Sequence, residues 1–377
     1  EDAERSGEEF TVDARDYFEA SESAEVEKTT WEGRDCLKIS ENGSVSWKFD
    51  VPESGFYSIR LTYSATGDST NDIERLFALN GRSPFEEARF IRLNKNWKFQ
   101  FAGDTRDDAF VKDSAGNELN PDPYIDYFWD EYDVVDPNGY YLIPLEFYLE
   151  AGENVLTLEA IREPMAIEKI TFYTYEEPAS YEEVKKEYED KGYKAADTEP
   201  IKLEAEMPDS VSAYTIYPIY DRTSAGTSPQ DHAVIRRNTM GGDKWLSSGQ
   251  WVKYKFECPA SGLYDIVLRY EQATVKGMYT SRSLKINGEY PFLEAKYCQF
   301  PYDSKWQSAA LNDGETTFQF YFEEGETYEL EFEATKGTFT DILRQTAAAI
   351  NSLNEDYMDL IKLTGTDPDV NRDYGFS

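Results

Sequence analysis

The feature that most limits what this chain can fold into is a repeat of itself. The run Val51-Pro52-Glu53-Ser54-Gly55-Phe56-Tyr57-Ser58-Ile59 returns as Cys258-Pro259-Ala260-Ser261-Gly262-Leu263-Tyr264-Asp265-Ile266, displaced by 207 residues. The same displacement relates Tyr63 to Tyr270, Arg75 to Arg282, Asn80-Gly81 to Asn287-Gly288, Pro84-Phe85 to Pro291-Phe292 and Glu87-Ala88 to Glu294-Ala295. A later match, Phe147-Tyr148-Leu149-Glu150-Ala151-Gly152-Glu153 against Phe320-Tyr321-Phe322-Glu323-Glu324-Gly325-Glu326, is displaced by 173, so the first copy holds 34 extra residues between the two matches. The fold is therefore built twice, with an insertion in the first copy. That insertion includes the acidic, aromatic run Asp122-Pro123-Tyr124-Ile125-Asp126-Tyr127-Phe128-Trp129-Asp130-Glu131-Tyr132 and is expected to form a long decorated loop.

Within each copy the apolar residues recur with period two. Val45, Trp47, Phe49 and Val51 alternate with polar residues, as do Val252, Tyr254, Phe256 and Cys258, and both runs stop at a Pro-x-Ser-Gly turn. Strands over Tyr57 to Tyr63, Arg75 to Leu79, Val155 to Ala160 and Ile167 to Phe172, with turn residues between them, predict antiparallel sandwiches. Ser180-Tyr181-Glu182-Glu183 is a capping box, Tyr181, Val184 and Tyr188 follow at helical spacing, and Gly192 stands where a cap belongs. Ile342, Thr346, Ile350, Leu353, Tyr357 and Leu360 form one apolar stripe of a second helix that ends before Gly365 and Pro368. The expected architecture is mainly β: two antiparallel jelly-roll β-sandwich domains at 8–176 and 200–336, a helical linker at 177–199, and a C-terminal helix opening a further domain at 337–377.

Composition removes several function classes. A net charge of −36 is opposite to what nucleic acid or an anionic membrane surface attracts. No stretch approaches the roughly 18 consecutive apolar residues of a spanning helix, and no leader peptide is visible at Glu1. Aromatic residues make up 15% of the chain, far more than a disordered acidic tail holds, and they supply flat platforms on which sugars stack. Cys36, Cys258 and Cys298 lack the spacing of a zinc site or a disulfide framework and are expected to be structural. His232, the single histidine, sits in Asp231-His232-Ala233 as a loop residue rather than a catalyst.

No carboxylate pair has a context that fixes its separation, so no catalytic residue is assigned. The ligand-binding candidates are Trp129 with Tyr124 and Tyr127 in the insertion, Trp97, Trp245 and Trp306 in turn-rich contexts, and Tyr279. Each tryptophan has an alternative role as a plug at the end of a sandwich core. Arg75 and Arg282, at one position of the repeat, either reach a ligand or tie down a neighbouring loop by paired hydrogen bonds. Glu204 and Glu206, in Leu203-Glu204-Ala205-Glu206, offer oxygens to a structural calcium ion, though not in the spacing of a contiguous calcium loop.

The Pro-x-Ser-Gly-x-Tyr turn, the opening Leu203-Glu204-Ala205-Glu206 and the sandwich pattern resemble carbohydrate-binding modules of the galactose-binding-like class, non-catalytic jelly rolls of secreted proteins. A longer order resembles the N-terminal half of large extracellular solute-binding-type lipoproteins of Gram-positive bacteria. It runs through Gly116-Asn117-Glu118, Gly139-Tyr140-Tyr141, Pro144 to Leu149, Arg162-Glu163-Pro164-Met165, Gly241-Gly242-Asp243-Lys244-Trp245, Leu353-Asn354, Thr364 to Asp369 and Arg372-Asp373-Tyr374. That resemblance implies a lipid-anchored cell-surface protein whose partners are an oligo- or polysaccharide and the components of a carbohydrate ABC importer. The solute-binding lobes would then lie beyond Ser377. Three readings follow: a tandem glycan binder, a pair of scaffold domains without a sugar site, and a glycoside hydrolase.

Overall fold

The computed structural model describes residues 8–369 and 371–375. They fall into one compact unit that ends at Gly337 and another that begins at Thr338. Among the described residues the structure is mainly β, with antiparallel sheets and two α-helices.

The first sandwich packs a seven-stranded sheet on a five-stranded one. The larger sheet runs Asp130–Asp133, Gly55–Ala65, Met165–Tyr173, Arg34–Ile39, Val26–Trp31, with Phe10–Asp13 against Met165–Tyr173 and Glu146–Leu149 against Gly55–Ala65. The smaller runs Glu19–Ala20, Ser44–Val51, Gly152–Arg162, Ile73–Leu79, Ile91–Leu93. The period-two residues Val45, Trp47, Phe49 and Val51 meet Ile59, Leu61 and Phe172 of the facing sheet in one core.

The second sandwich sets a seven-stranded sheet with two two-stranded ladders, Gly262–Tyr264 with Phe320–Phe322 and Val267–Gln272 with Asp303–Ala310, and several repeated residues make the same bonds as in the first. The Tyr57 hydroxyl donates to Glu53 O at 2.8 Å and that of Tyr264 to Ala260 O at 2.5 Å. Ser54 Oγ accepts from Ala151 N and Ser261 Oγ from Glu324 N, at 2.7 and 2.9 Å. Asn80 and Asn287, both at positive φ in their turns, accept from Val155 N and Glu329 N. These side chains close turns that main-chain donors alone would leave unpaired, which is why both copies keep them. Cys258 takes the core place of Val51; all three cysteines are buried and free.

Two elements differ from the expectation. The insertion is not a free loop: Trp97–Gln100 and Asp122–Ile125 pair with each other and join the second sandwich's sheet, with Trp97 opposite Val211. That sheet continues through Ser210–Val211, Trp251–Glu257, Thr327–Thr335, Tyr279–Ile286 and Cys298–Pro301. Helix α1 (Tyr181–Asp190) carries the expected capping box but is more than a linker. Tyr181 is buried in the second core against Phe292 and Phe318, and its hydroxyl accepts from Gln319 N. Helix α2 (Thr340–Thr364) ends at Gly365 as expected, with Ile342, Ile350, Leu353, Tyr357 and Leu360 exposed. No helix among the described residues is long and apolar enough to cross a membrane.

Where the sandwiches meet, charge is taken out of water. Lys253 Nζ lies 3.0 Å from Glu329 and 3.0 Å from Glu331, and Lys285 Nζ lies 3.1 Å from Glu331, on adjacent strands of the second sandwich. Asp130, on the edge strand of the first sandwich, faces Lys253, Glu331 and Lys285, and burial pushes its carboxyl up to about 6. The folded state therefore holds this proton more tightly than the unfolded chain, and above pH 6 the ionised carboxylate costs stability. Asp130→Asn is expected to stabilise the protein at pH 7 by about 1–2 kcal/mol. The gain should shrink as pH falls through 6 and vanish below the group's ordinary value of 3.8. Urea unfolding at pH 7, 5.5 and 3.5 checks both the sign and the window.

Candidate functional site

A tight hairpin with Glu32 and Gly33 at positive φ carries Trp31 and Arg34 as its closing pair, and a type I′-like turn of this kind admits few residues but Gly and Asn without strain. The end of the insertion folds back against it. Trp129 Nε1 donates to Trp31 O at 3.0 Å, and Trp31 Nε1 donates to Ser64 Oγ at 3.2 Å. Tyr127 meets Trp31 edge-on, with centroids 5.7 Å apart and an interplanar angle of 78°. The three rings are half-buried.

Polar groups ring this platform. Lys38 Nζ stands 3.8 Å from the Trp31 centroid and Arg34 Cζ 5.7 Å from that of Trp129. Arg34 Nη1 pairs with Glu168 Oε2 at 2.7 Å, and Glu168 occupies a bulge in its strand, where the ladder shifts between Ile167 and Lys169. Burial, reinforced by the nearby Asp68 carboxylate, raises the Tyr127 phenol above its ordinary value, so the hydroxyl stays protonated and able to donate. The arrangement gathers indole and phenol rings with guanidinium, ammonium and carboxylate, and hydrogen bonds, a ring contact and the Arg34–Glu168 ion pair hold these side chains in place.

Of the sequence candidates, Trp129 and Tyr127 belong to this platform. Tyr124 does not: it is exposed on the hairpin that joins the second sheet, opposite Lys98. Trp97, 5% exposed, is core, packed near Val211 and Val252 because its strand completes the second sheet. Trp245 is a structural residue as well, its Nε1 donating to Gln250 O at 2.8 Å under the Arg282 guanidinium, whose Cζ lies 4.4 Å from the ring centroid. Arg75 is fully buried and clamps Glu74 O, Arg162 O and Glu163 O at 2.7–2.8 Å, while Arg282 clamps Ser281 O and Trp245 O. Burial lowers both guanidinium groups to about 10, and neither is available to a ligand. Trp306 is half-buried, donating to Asp221 Oδ2 at 2.5 Å, and Tyr279 is half-buried on the strand opposite Pro301; neither joins the platform. His232 is exposed in its loop.

The acidic pair is also spoken for. Arg106, from the insertion, places Nε 2.5 Å from Glu206 and Nη2 2.9 Å from Glu118, and Arg236 adds a third contact to Glu118 at 3.1 Å. Glu204 pairs with Lys202 at 2.6 Å. The Arg106 guanidinium thus neutralises Glu206 where a calcium ion was expected, and among the described residues no group of three or more His, Cys, Asp and Glu is placed to hold a metal. A hollow of about 300 Å³ is lined by Asp104 and by two charge pairs, Lys202 with Glu204 at 2.6 Å and Lys255 with Asp209 at 3.2 Å. The residues that sequence reasoning left out of the site are Arg34, Lys38 and Glu168; Trp31 is marked in the sequence by the same turn-rich context as the other tryptophans, here Trp-Glu-Gly.

No protein-family profile matches the chain, and neither does any curated protein. Solved structures do. A family 35 carbohydrate-binding module from Clostridium thermocellum overlaps 45% of this chain and 99% of its own, with TM-score 0.27 and 15% identity. A CBM35 from Cellvibrio japonicus overlaps 44% of this chain and 92% of its own, with TM-score 0.26 and 13% identity. A GH26-CBM35 β-(1,4)-mannanase from Podospora anserina, of which this chain spans 28%, overlaps 45% of it with TM-score 0.27 and 12% identity.

Arg106→Ala leaves Glu118 and Glu206 buried without their shared cation, and it is expected to cost about 3–5 kcal/mol in denaturant unfolding. Chelator is expected to leave the unfolding midpoint of the wild-type chain unchanged, because the cation at Glu206 is covalently part of the protein.

Proposed function

We propose that the chain is a non-catalytic glycan-binding protein, and that its site is the platform of Trp31, Tyr127 and Trp129. The observation that carries this reading is a set of three half-exposed rings, pinned by their own N–H groups and edge contact, beside Arg34, Lys38 and Glu168. The apolar C–H face of a pyranose stacks on an indole, and its hydroxyls both donate to a carboxylate and accept from guanidinium and ammonium. Because the platform uses the Trp-Glu-Gly hairpin and the insertion, and the second copy repeats neither, one principal site per chain is expected.

A location on the surface of a Gram-positive cell, with a lipid anchor and delivery to a carbohydrate importer, is supported by the order of sequence motifs. The scaffold reading keeps one specific observation in its favour. Every repeated side chain traced above is spent on closing a turn, clamping a loop or filling a core.

Screening the chain on a glycan array, followed by calorimetry on the best oligosaccharide, tests the proposal. Trp129→Ala and Trp31→Ala are each expected to weaken binding at least tenfold, with the circular dichroism spectrum retained and the oligosaccharide recovered uncleaved. Trp306→Ala is expected to leave the affinity within twofold. A folded chain that binds no glycan would transfer the conclusion to the scaffold reading, and cleavage of the ligand would transfer it to a hydrolase.

A further inference from the structure

Among the described residues the second sandwich lacks a strand that the first one has. In the first, Met165–Tyr173 lies in the middle of the larger sheet, pairing with Gly55–Ala65 on one side and with Phe10–Asp13 on the other. The counterpart of Gly55–Ala65 is the broken strand Gly262–Tyr264 and Val267–Gln272, and the counterpart of Phe10–Asp13 is the segment 201–204. One bond fixes the second equivalence: Trp47 Nε1 donates to Ala14 O at 2.8 Å, and Tyr254, at the same repeat position, donates its hydroxyl to Ala205 O at 2.9 Å. No strand follows Thr327–Thr335 among the described residues.

The consequences are visible on both sides of the gap. Among the described residues Val267–Gln272 forms a ladder only with Asp303–Ala310, Lys194 and Ala196 bond to the broken strand at Leu263 alone, and residues 201–204 lie in no ladder, so the second edge of Val267–Gln272 has no strand partner. Val12 is 8% exposed beneath the first sandwich's strand, whereas Leu203, its counterpart, is 39% exposed. Phe10 stacks on Phe172 at 4.8 Å, whereas Ile201, in the place of Phe10, is 37% exposed. Main-chain donors and acceptors along one edge, with uncovered aliphatic groups across from it, are what an added strand would satisfy.

We propose that this gap is a docking site for an extended segment of another polypeptide, which enters as the missing strand antiparallel to Val267–Gln272. The first sandwich specifies its pattern: apolar residues at the inward positions, as Ile170 and Phe172 are, and polar ones outward. Charge specifies the rest. A second copy of a chain with net charge −36 is repelled. The bulge between Tyr270 and Gln272, with Arg269 and Glu271 facing outward beside it, hinders indiscriminate pairing of two such edges. The occupant is accordingly a segment from a different protein with basic residues at its outward positions.

The test uses the full chain and a nine-residue peptide with the sequence of Met165–Tyr173 carrying Glu168→Lys. Hydrogen exchange at saturating peptide is expected to slow at least tenfold in the Val267–Gln272 amides and to stay unchanged in Ser44–Val51. A peptide N-methylated at alternate residues on its pairing edge is expected not to bind. Unchanged exchange in Val267–Gln272, or equal binding of the N-methylated peptide, would overturn strand addition. Protection of the same amides by concentrating the chain alone would overturn the choice of occupant. None of these readouts involves a glycan, so this proposal stands or falls separately from the platform.

Discussion

A strand crossing ties the two sandwiches together: the hairpin of Trp97–Gln100 and Asp122–Ile125 leaves the first and becomes the end of the second's sheet at Val211. A loop merely leaning on a neighbour could be displaced at little cost. A strand pair that completes a sheet leaves unpaired amides behind when it goes, and this one also withdraws Trp97 and Phe99 from a small core with Val211, Ile216 and Val252. The hairpin explains the charges around it too. Arg106 is brought to Glu206 by the connection between the two strands, and the paired lysines and glutamates of the second sheet become an interior feature because the first sandwich lies over them. Ion pairs of this kind add little net stability over apolar packing, since the desolvation they suffer nearly equals their attraction. They discriminate through Asp130: a shift of one sandwich on the other moves this carboxyl off Lys253 and Lys285, while the pairs those lysines make with Glu329 and Glu331 stay within the second sheet.

The repeat made the fold legible. Period-two runs, Pro-x-Ser-Gly turns and Asn-Gly turns are local signals, and each corresponds to a strand or a turn bond that the structure shows. The capping box at Ser180 is local in the same way. The crossing hairpin was not legible, because strand pairing between residues more than a hundred apart leaves no mark in either segment. Trp97 and Trp245 sit beside turns, and turn context reads as exposure when nothing says which sheet will cover the turn. Arg75 was ambiguous for a related reason: an arginine before Asn-Gly suits a ligand and a carbonyl clamp equally, and only the proximity of Arg162 O and Glu163 O decides between them.

The binding platform was half legible. Trp129 and Tyr127 stood out because an acidic, aromatic insertion has no period and no core of its own to fill. Arg34, Lys38 and Glu168 did not, since single charged residues in or beside strands are the ordinary way to solvate a sheet's outer face. What gathers them is the register: Trp31 pairs with Arg34 across the turn, Lys38 follows on Arg34's strand, and Glu168 sits at a bulge of the strand next to that one.

An internal repeat thus separates two kinds of residue. Several side chains that both copies keep make the same bond twice: Tyr57 and Tyr264 to a turn carbonyl, Ser54 and Ser261 to a turn amide, Arg75 and Arg282 to the carbonyl of the residue before. Such a residue answers to a constraint of the fold, which both copies share whatever they bind. Specific chemistry belongs where the copies part, and they part in three places: the Trp-Glu-Gly hairpin, the insertion, and the strand Met165–Tyr173 that only the first possesses. The first two build the aromatic platform. The absence of the third among the described residues leaves the second sandwich with an edge that has no strand partner, so the places where the copies diverge are the ones for which a small polar ligand and a docking strand are proposed.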